Sequence, residues 1–388
     1  MSEPALHAVA ADQVFDGTAV HKGAAVVIDG ARIAAVRPRA DLPRGMPVRA
    51  LPDGAWLAPG FIDLQVNGGG DVLFNDAPTA EGLTAIVAAH RKFGTTALVP
   101  TLITDRPEKM KAACEAVQAA IDREPGVLGI HLEGPFISPE KPGVHDVRSI
   151  RSPGPDDIAL LTAPRKGVML VTLAPEQVPA GFIARLVAAG IRVALGHSMA
   201  TYAQTQAAMT EGLAGFTHLF NAMPPLASRE PGPVAAALES PEAWYGLIVD
   251  GVHVAPAMLR LALRGVGRPV LVTDAMPPVG GKQSSFRLYG ETIAADGGRC
   301  VRSDGTLAGA ALDMATAVRN CVRLLDVPLA DALRFASMHP AAALGVANWL
   351  GRLAPGYRAD MVAFDPGTVG VIATWVAGAH DKEPAGRR

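Results

Sequence analysis

The sequence predicts an α/β chain: a (β/α)8 barrel of the TIM type with a small β-sandwich domain assembled from both chain ends. Three observations carry the prediction. Short apolar runs recur eight times between residues 61 and 276 with Ala-rich, helix-like stretches in the gaps. Four of these runs end on an acid-base or metal-ligand residue, the place where a barrel builds its active site. Both ends of the chain are rich in strand formers and turns, with little helical periodicity.

The elements follow in order. Residues 1–58 hold AVAADQVFDG, AAVVIDGARIAAV and PVRALPDGAWLAP, β-rich pieces separated by Gly, Asp and Pro turns. Residues 350–388 again read as short strands and are expected to complete the same β unit. Between them, residues 59–349 form the catalytic barrel. Its strands are FIDLQV (61–66), TALVPT (96–101), VLGIHLEG (127–134), VMLVTLAPE (168–176), RVALGHS (192–198), GFTHLFNA (215–222), YGLIVDG (245–251) and VLVTDAM (270–276). Several intervening segments, such as EGLTAIVAAHRKFG and PAGFIARLVAAG, stop at a glycine, as helices do.

Composition narrows the function classes. With 388 residues and 49% hydrophobic content the chain buries a large core, and a formal net charge of −2 provides no bulk attraction to nucleic acid or anionic membrane. Three cysteines, Cys114, Cys300 and Cys321, lack the paired spacing of a zinc knuckle or disulfide framework. No run reaches membrane-spanning length and the N-terminus lacks a signal-peptide pattern, so a soluble cytoplasmic protein is expected.

Glu133, His197 and His218 close the third, fifth and sixth strands, and 21 residues separate the two histidines, which suits one βα unit. A carboxylate and two imidazoles from three strand ends form a three-ligand site for one divalent metal with an open position for water. Zinc suits this set best, and iron, cobalt or manganese also fit. Asp274 closes the eighth strand, where a carboxylate can accept a proton from water and deliver it to a leaving amine. Ser198, directly after His197, is placed to cap the next helix.

The first strand, Gln65-Val66-Asn67-Gly68, is similar to the first strand of the amidohydrolase superfamily, with neutral amides where His-x-His commonly stands. Gln65 and Asn67 bind zinc weakly, so one tightly held metal is expected rather than a pair. The resemblance narrows to the N-acetylglucosamine-6-phosphate deacetylase family through HLEGPF (131–136), Lys141 to His145, Gly196-His197-Ser198, THLFNAM (217–223), Arg229-Glu230-Pro231-Gly232, Asp250-Gly251-Val252-His253 and Thr273-Asp274-Ala275. The resemblance implies hydrolysis of the acetamide of N-acetylglucosamine 6-phosphate, with Asp274 as base then acid and His145 stabilising the oxyanion. It implies substrate contacts at Val144, His145, Asn221 and Ala222, phosphate contacts at Arg229 and His253, and a loop of Leu307, Ala308 and Gly309 over the acetyl group. A homodimer sharing the phosphate site is expected from the same source. Another acetamido sugar as substrate, a different amidohydrolase reaction, and a catalytically silent binding barrel stay open at this point.

Overall fold

The computed structural model describes residues 6–380, so the outermost parts of the expected 1–58 and 350–388 segments lie outside the described residues. Eight parallel strands run in sequence order around the barrel. They are Phe61–Val66, Thr95–Ile103, Gly129–Glu133, Val168–Leu173, Arg192–Leu195, Gly215–Phe216, Trp244–Leu247 and Arg268–Leu271. A helix follows each, from Ala80–Arg91 after the first to Met314–Leu325 after the eighth. Closure is made by backbone just past the last strand. The Asp274 N–H donates to the Gln65 carbonyl at 3.0 Å, and the Asn67 and Gly68 N–H groups both donate to the Ala275 carbonyl at 2.9 Å.

Local chemistry explains the helix starts. Thr79 accepts from the Gly82 N–H and Asp313 from the Thr316 N–H, while Thr201 forms a reciprocal capping box with Gln204. Pro107, Pro155 and Pro256 open their helices at the first position, where a missing N–H costs nothing. Ser198, expected as a cap, does not cap the next helix. The chain runs three residues further before turning helical at Tyr202, and the Ser198 hydroxyl donates instead to Glu176 at 2.7 Å.

The chain ends share one eight-stranded sheet. Met361–Asp365 pairs antiparallel with Trp56–Pro59, which leads through Gly60 into the first barrel strand. Period-two alternation decides what each side of this strand touches. Met361 and Ala363 join Val9, Ile28, Leu57 and Trp375 in the sheet's own core, whereas Val362 and Phe364 join the barrel core.

The region after the eighth barrel strand departs from expectation. Residues 285–310 form a four-stranded antiparallel sheet, and Leu307–Ala310, expected as a loop, is its last strand. It is held to the barrel by Met276 N–H to the Ala310 carbonyl and Ala310 N–H to the Asp274 carbonyl, each 2.9 Å. The first two strands meet at Tyr289-Gly290 and the next two at Gly297-Gly298, both with positive φ. Among the described residues no helix is long and apolar enough to cross a membrane.

Gly129 opens the third barrel strand, paired with Val168 of the fourth. A Cβ there would lie 1.8 Å from the Val168 carbonyl oxygen. Gly129→Ala is expected to destabilise the fold by about 1–3 kcal/mol through forced separation of the strands. Urea denaturation checks this, and an unchanged midpoint would contradict it.

Candidate metal centre and active site

Three strand ends bring their side chains to one buried point. His218 Nε2 lies 3.0 Å and His197 Nε2 3.3 Å from Glu133 Oε1, and the two Nε2 atoms are 3.1 Å apart. Two imidazole nitrogens facing each other at this distance repel unless one is protonated or a cation shares their lone pairs. Burial pulls the His218 pKa down, but Glu133 outweighs it and the net direction is up. Glu133 is pushed up by burial and held well below the usual carboxylate range by the two histidines.

The donor set fits a divalent metal. The separations approximate the roughly 3.3 Å edge of a tetrahedron built on 2.0–2.1 Å bonds. His197 Nδ1 donates to the Lys141 carbonyl at 2.8 Å, which leaves Nε2 as the lone-pair nitrogen. Glu176 holds the turn after His197 by accepting from the Ser198 hydroxyl and, at 2.5 Å, the Met199 N–H. His197, His218 and Asp274 all have positive φ, so each turns its backbone sharply at the strand end.

Gln65 and Asn67 present amide N–H groups rather than oxygens to the carboxylates. Gln65 Nε2 donates to Glu133 at 3.2 and 3.1 Å and to Asp274 Oδ1 at 3.2 Å, and Asn67 Nδ2 donates to the same Oδ1 at 2.6 Å. Burial and the neighbouring Glu133 carboxylate raise the Asp274 pKa to about 6.

One cavity of about 230 Å³ joins these groups. Glu133, His197, His218 and Asp274 line it together with Asn67, Val144, His145, Asn221, Ala222, His253, Leu307 and Gly309. Ala308 is fully buried and does not line it, and Arg229 is exposed outside it. His253 Nδ1 is 2.6 Å from Asp250 Oδ2, whose other oxygen accepts the Val252 and His253 N–H groups. Burial pushes His145 well below its ordinary pKa, and His197, whose ring centre lies 4.3 Å away, pushes in the same direction.

Sequence reasoning missed Thr104, whose N–H and hydroxyl both meet His145 Nδ1. The available signal was its place directly after the second strand, the position that carries chemistry on other strands. His131, inward like Glu133, forms a lower layer with Thr101 at 3.0 Å and Thr172 at 2.7 Å. Burial lowers its pKa to about 4.

A parallel barrel with a carboxylate–imidazole cluster and a second carboxylate at its C-terminal mouth defines a metal-dependent hydrolase. The chain belongs to the amidohydrolase family, whose model matches residues 56–386. It is 44% identical to an N-acetylgalactosamine-6-phosphate deacetylase of Shewanella sp. (strain ANA-3), over 83% of this chain and 82% of that one. It is 38% identical to the N-acetylglucosamine-6-phosphate deacetylase of Haemophilus influenzae, over 91% and 93%. The crystal structure of N-acetylglucosamine-6-phosphate deacetylase from Pasteurella multocida superposes with a TM-score of 0.94 at 37% identity, covering 97% of this chain and all of that one.

Glu133→Gln is expected to weaken metal binding by about 100-fold or more, because an amide replaces the anionic ligand. Metal content after dialysis checks this, and full retention would contradict it.

Proposed function

We propose that this protein hydrolyses the acetamide of N-acetylglucosamine 6-phosphate to glucosamine 6-phosphate and acetate. The observation that carries the reading is the placement of Asp274, a carboxyl raised to about 6, in the same cavity as the Glu133–His197–His218 cluster. Relatives across the chain's length carry out this deacetylation on a 6-phosphorylated acetamido sugar.

Glu133, His197 and His218 would hold one divalent metal, with zinc the best match to two imidazoles and a carboxylate. When bound, it supplies Lewis acidity and lowers the pKa of its water. One water is consumed: its oxygen bonds to the acetyl carbon, the C–N bond breaks, and Asp274 carries the water's proton to the departing nitrogen. Gln65 and Asn67 orient the Asp274 carboxylate through Oδ1. His145 donates to the carbonyl oxygen as negative charge gathers there.

Val144, Asn221, Ala222, Leu307 and Gly309 enclose the sugar and its acetyl group, with Ala308 supporting the enclosure from behind. Asp250 orients His253 toward the phosphate. Arg229, exposed outside its own cavity, suits service to the phosphate of a neighbouring subunit in a homodimer. The compartment we assign is the cytoplasm, where phosphorylated sugars and free thiols such as Cys114 coexist. The Shewanella relative gives one second reading specific support: the same reaction on N-acetylgalactosamine 6-phosphate, which differs at a single hydroxyl.

Acetate release from both 6-phosphates and from unphosphorylated N-acetylglucosamine tests the reading. Fast release from N-acetylglucosamine 6-phosphate alone is expected; preference for the galactosamine ester would favour the second reading, and release from neither by metal-replete protein would overturn both. Asp274→Asn should lower kcat about 100-fold while metal content stays at the wild-type level, and near-normal turnover would remove Asp274 from the chemistry. Because Asp274 acts as the carboxylate and a neighbouring cation favours that form, kcat should fall on acidification with a midpoint at or below about 6. A pH–rate profile checks this, and a midpoint clearly above that value would contradict the assignment.

A further inference from the structure

We infer that Thr104 is a positioning residue that fixes His145 as the Nε2–H tautomer, so that His145 meets the amide carbonyl as a proton donor. The inference rests on the deacetylase reading above and assigns a role to a residue outside the cavity lining. Thr104 follows the second barrel strand, and its backbone N–H points at His145 Nδ1 at 3.3 Å. A backbone N–H only donates, so Nδ1 must present its lone pair. A neutral imidazole then carries its single proton on Nε2. The Thr104 hydroxyl, 2.7 Å from the same nitrogen, is the closer partner. With the N–H requiring a lone pair on Nδ1, the hydroxyl donates to it as well and supplies the stronger hold on the ring. Its other acceptor, the Glu133 carbonyl, is more distant at 3.4 Å.

The surroundings hold Thr104 in place on every side. The preceding residue, Ile103, has its N–H and carbonyl bound by the Asn75 side chain at 3.1 and 2.9 Å. The Tyr289 hydroxyl, from the first turn of the antiparallel insertion, donates to the Thr104 carbonyl. Gly134 leaves room for the hydroxyl, since a Cβ there would sit 2.1 Å from Thr104 Oγ1. His145 lines the cavity with Asp274 and Glu133, and Nε2 has no hydrogen-bond partner among the described residues. The opposite tautomer would turn a lone pair toward the carbonyl oxygen and repel the developing charge.

The test uses metal-replete protein and N-acetylglucosamine 6-phosphate. Thr104→Val keeps the 3.3 Å backbone donor but removes the closer hydroxyl, so His145 is held less firmly. It should lower kcat by about 10-fold or more with KM and metal content within about twofold, and Thr104→Ser should restore most of the loss. In a His145→Ala background, Thr104→Val should have no further effect, because its influence passes through His145. Unchanged kcat in Thr104→Val, or an undiminished loss in the His145→Ala background, would overturn the inference. A slow His145→Ala beside a normal Thr104→Val would refute this inference alone, whereas absence of acetate release by the wild type would refute the deacetylase reading. Imidazole ¹⁵N shifts of wild-type His145 report the tautomer without any variant. A proton on Nε2 is expected, and a proton on Nδ1 would overturn the assignment.

Discussion

Most of the mouth of this barrel exists to hold two imidazole nitrogens and a carboxylate oxygen within 3.3 Å of one another in a buried place. Such a cluster is unfavourable by itself. The carboxylate loses water on burial, and the facing lone pairs repel until a cation or a proton sits among them. The surrounding structure pays that cost through positioning: the Lys141 carbonyl sets the tautomer of His197, Glu176 fixes the turn after it, and Gln65 supplies N–H donors to Glu133.

The same backbone that completes the barrel also presents the proton carrier. Asp274 N–H closes the eighth strand onto the first, while the Asp274 carbonyl receives the last strand of the antiparallel insertion. Asp274 has φ of 51° and His197 49°, conformations that cost of order 1–3 kcal/mol each and persist because the surrounding bonds leave no alternative. Moving the Asp274 backbone would open the barrel seam and loosen the wall of the cavity together. Chemistry and closure are thus one constraint at this strand end.

The barrel was legible in the sequence because a parallel strand buried on both faces reads as an apolar run, and its C-terminal residue stands out when charged. Glu133, His197, His218 and Asp274 were found that way, and the structure brings all four to one cavity. The antiparallel insertion was not found. Its strands are short, with few apolar anchors such as Phe286, Leu288 and Ile293, so alternation never built a strong signal. Thr104 escaped for another reason: a threonine one residue past a strand is neither a metal ligand nor an acid-base group, and its closeness to His145, 41 residues on, shows only in the fold. Arg229 was singled out on motif similarity, and its exposure outside the cavity follows from a long loop whose direction the local sequence does not encode.

X-ray absorption at the metal edge of the purified protein tests the central claim most directly. One metal per chain, bound by two imidazole nitrogens and carboxylate or water oxygens, with no second metal in the shell beyond, is the predicted result. A sulfur ligand, a metal–metal vector at about 3.5–4 Å, or an unchanged spectrum in His218→Ala would contradict it.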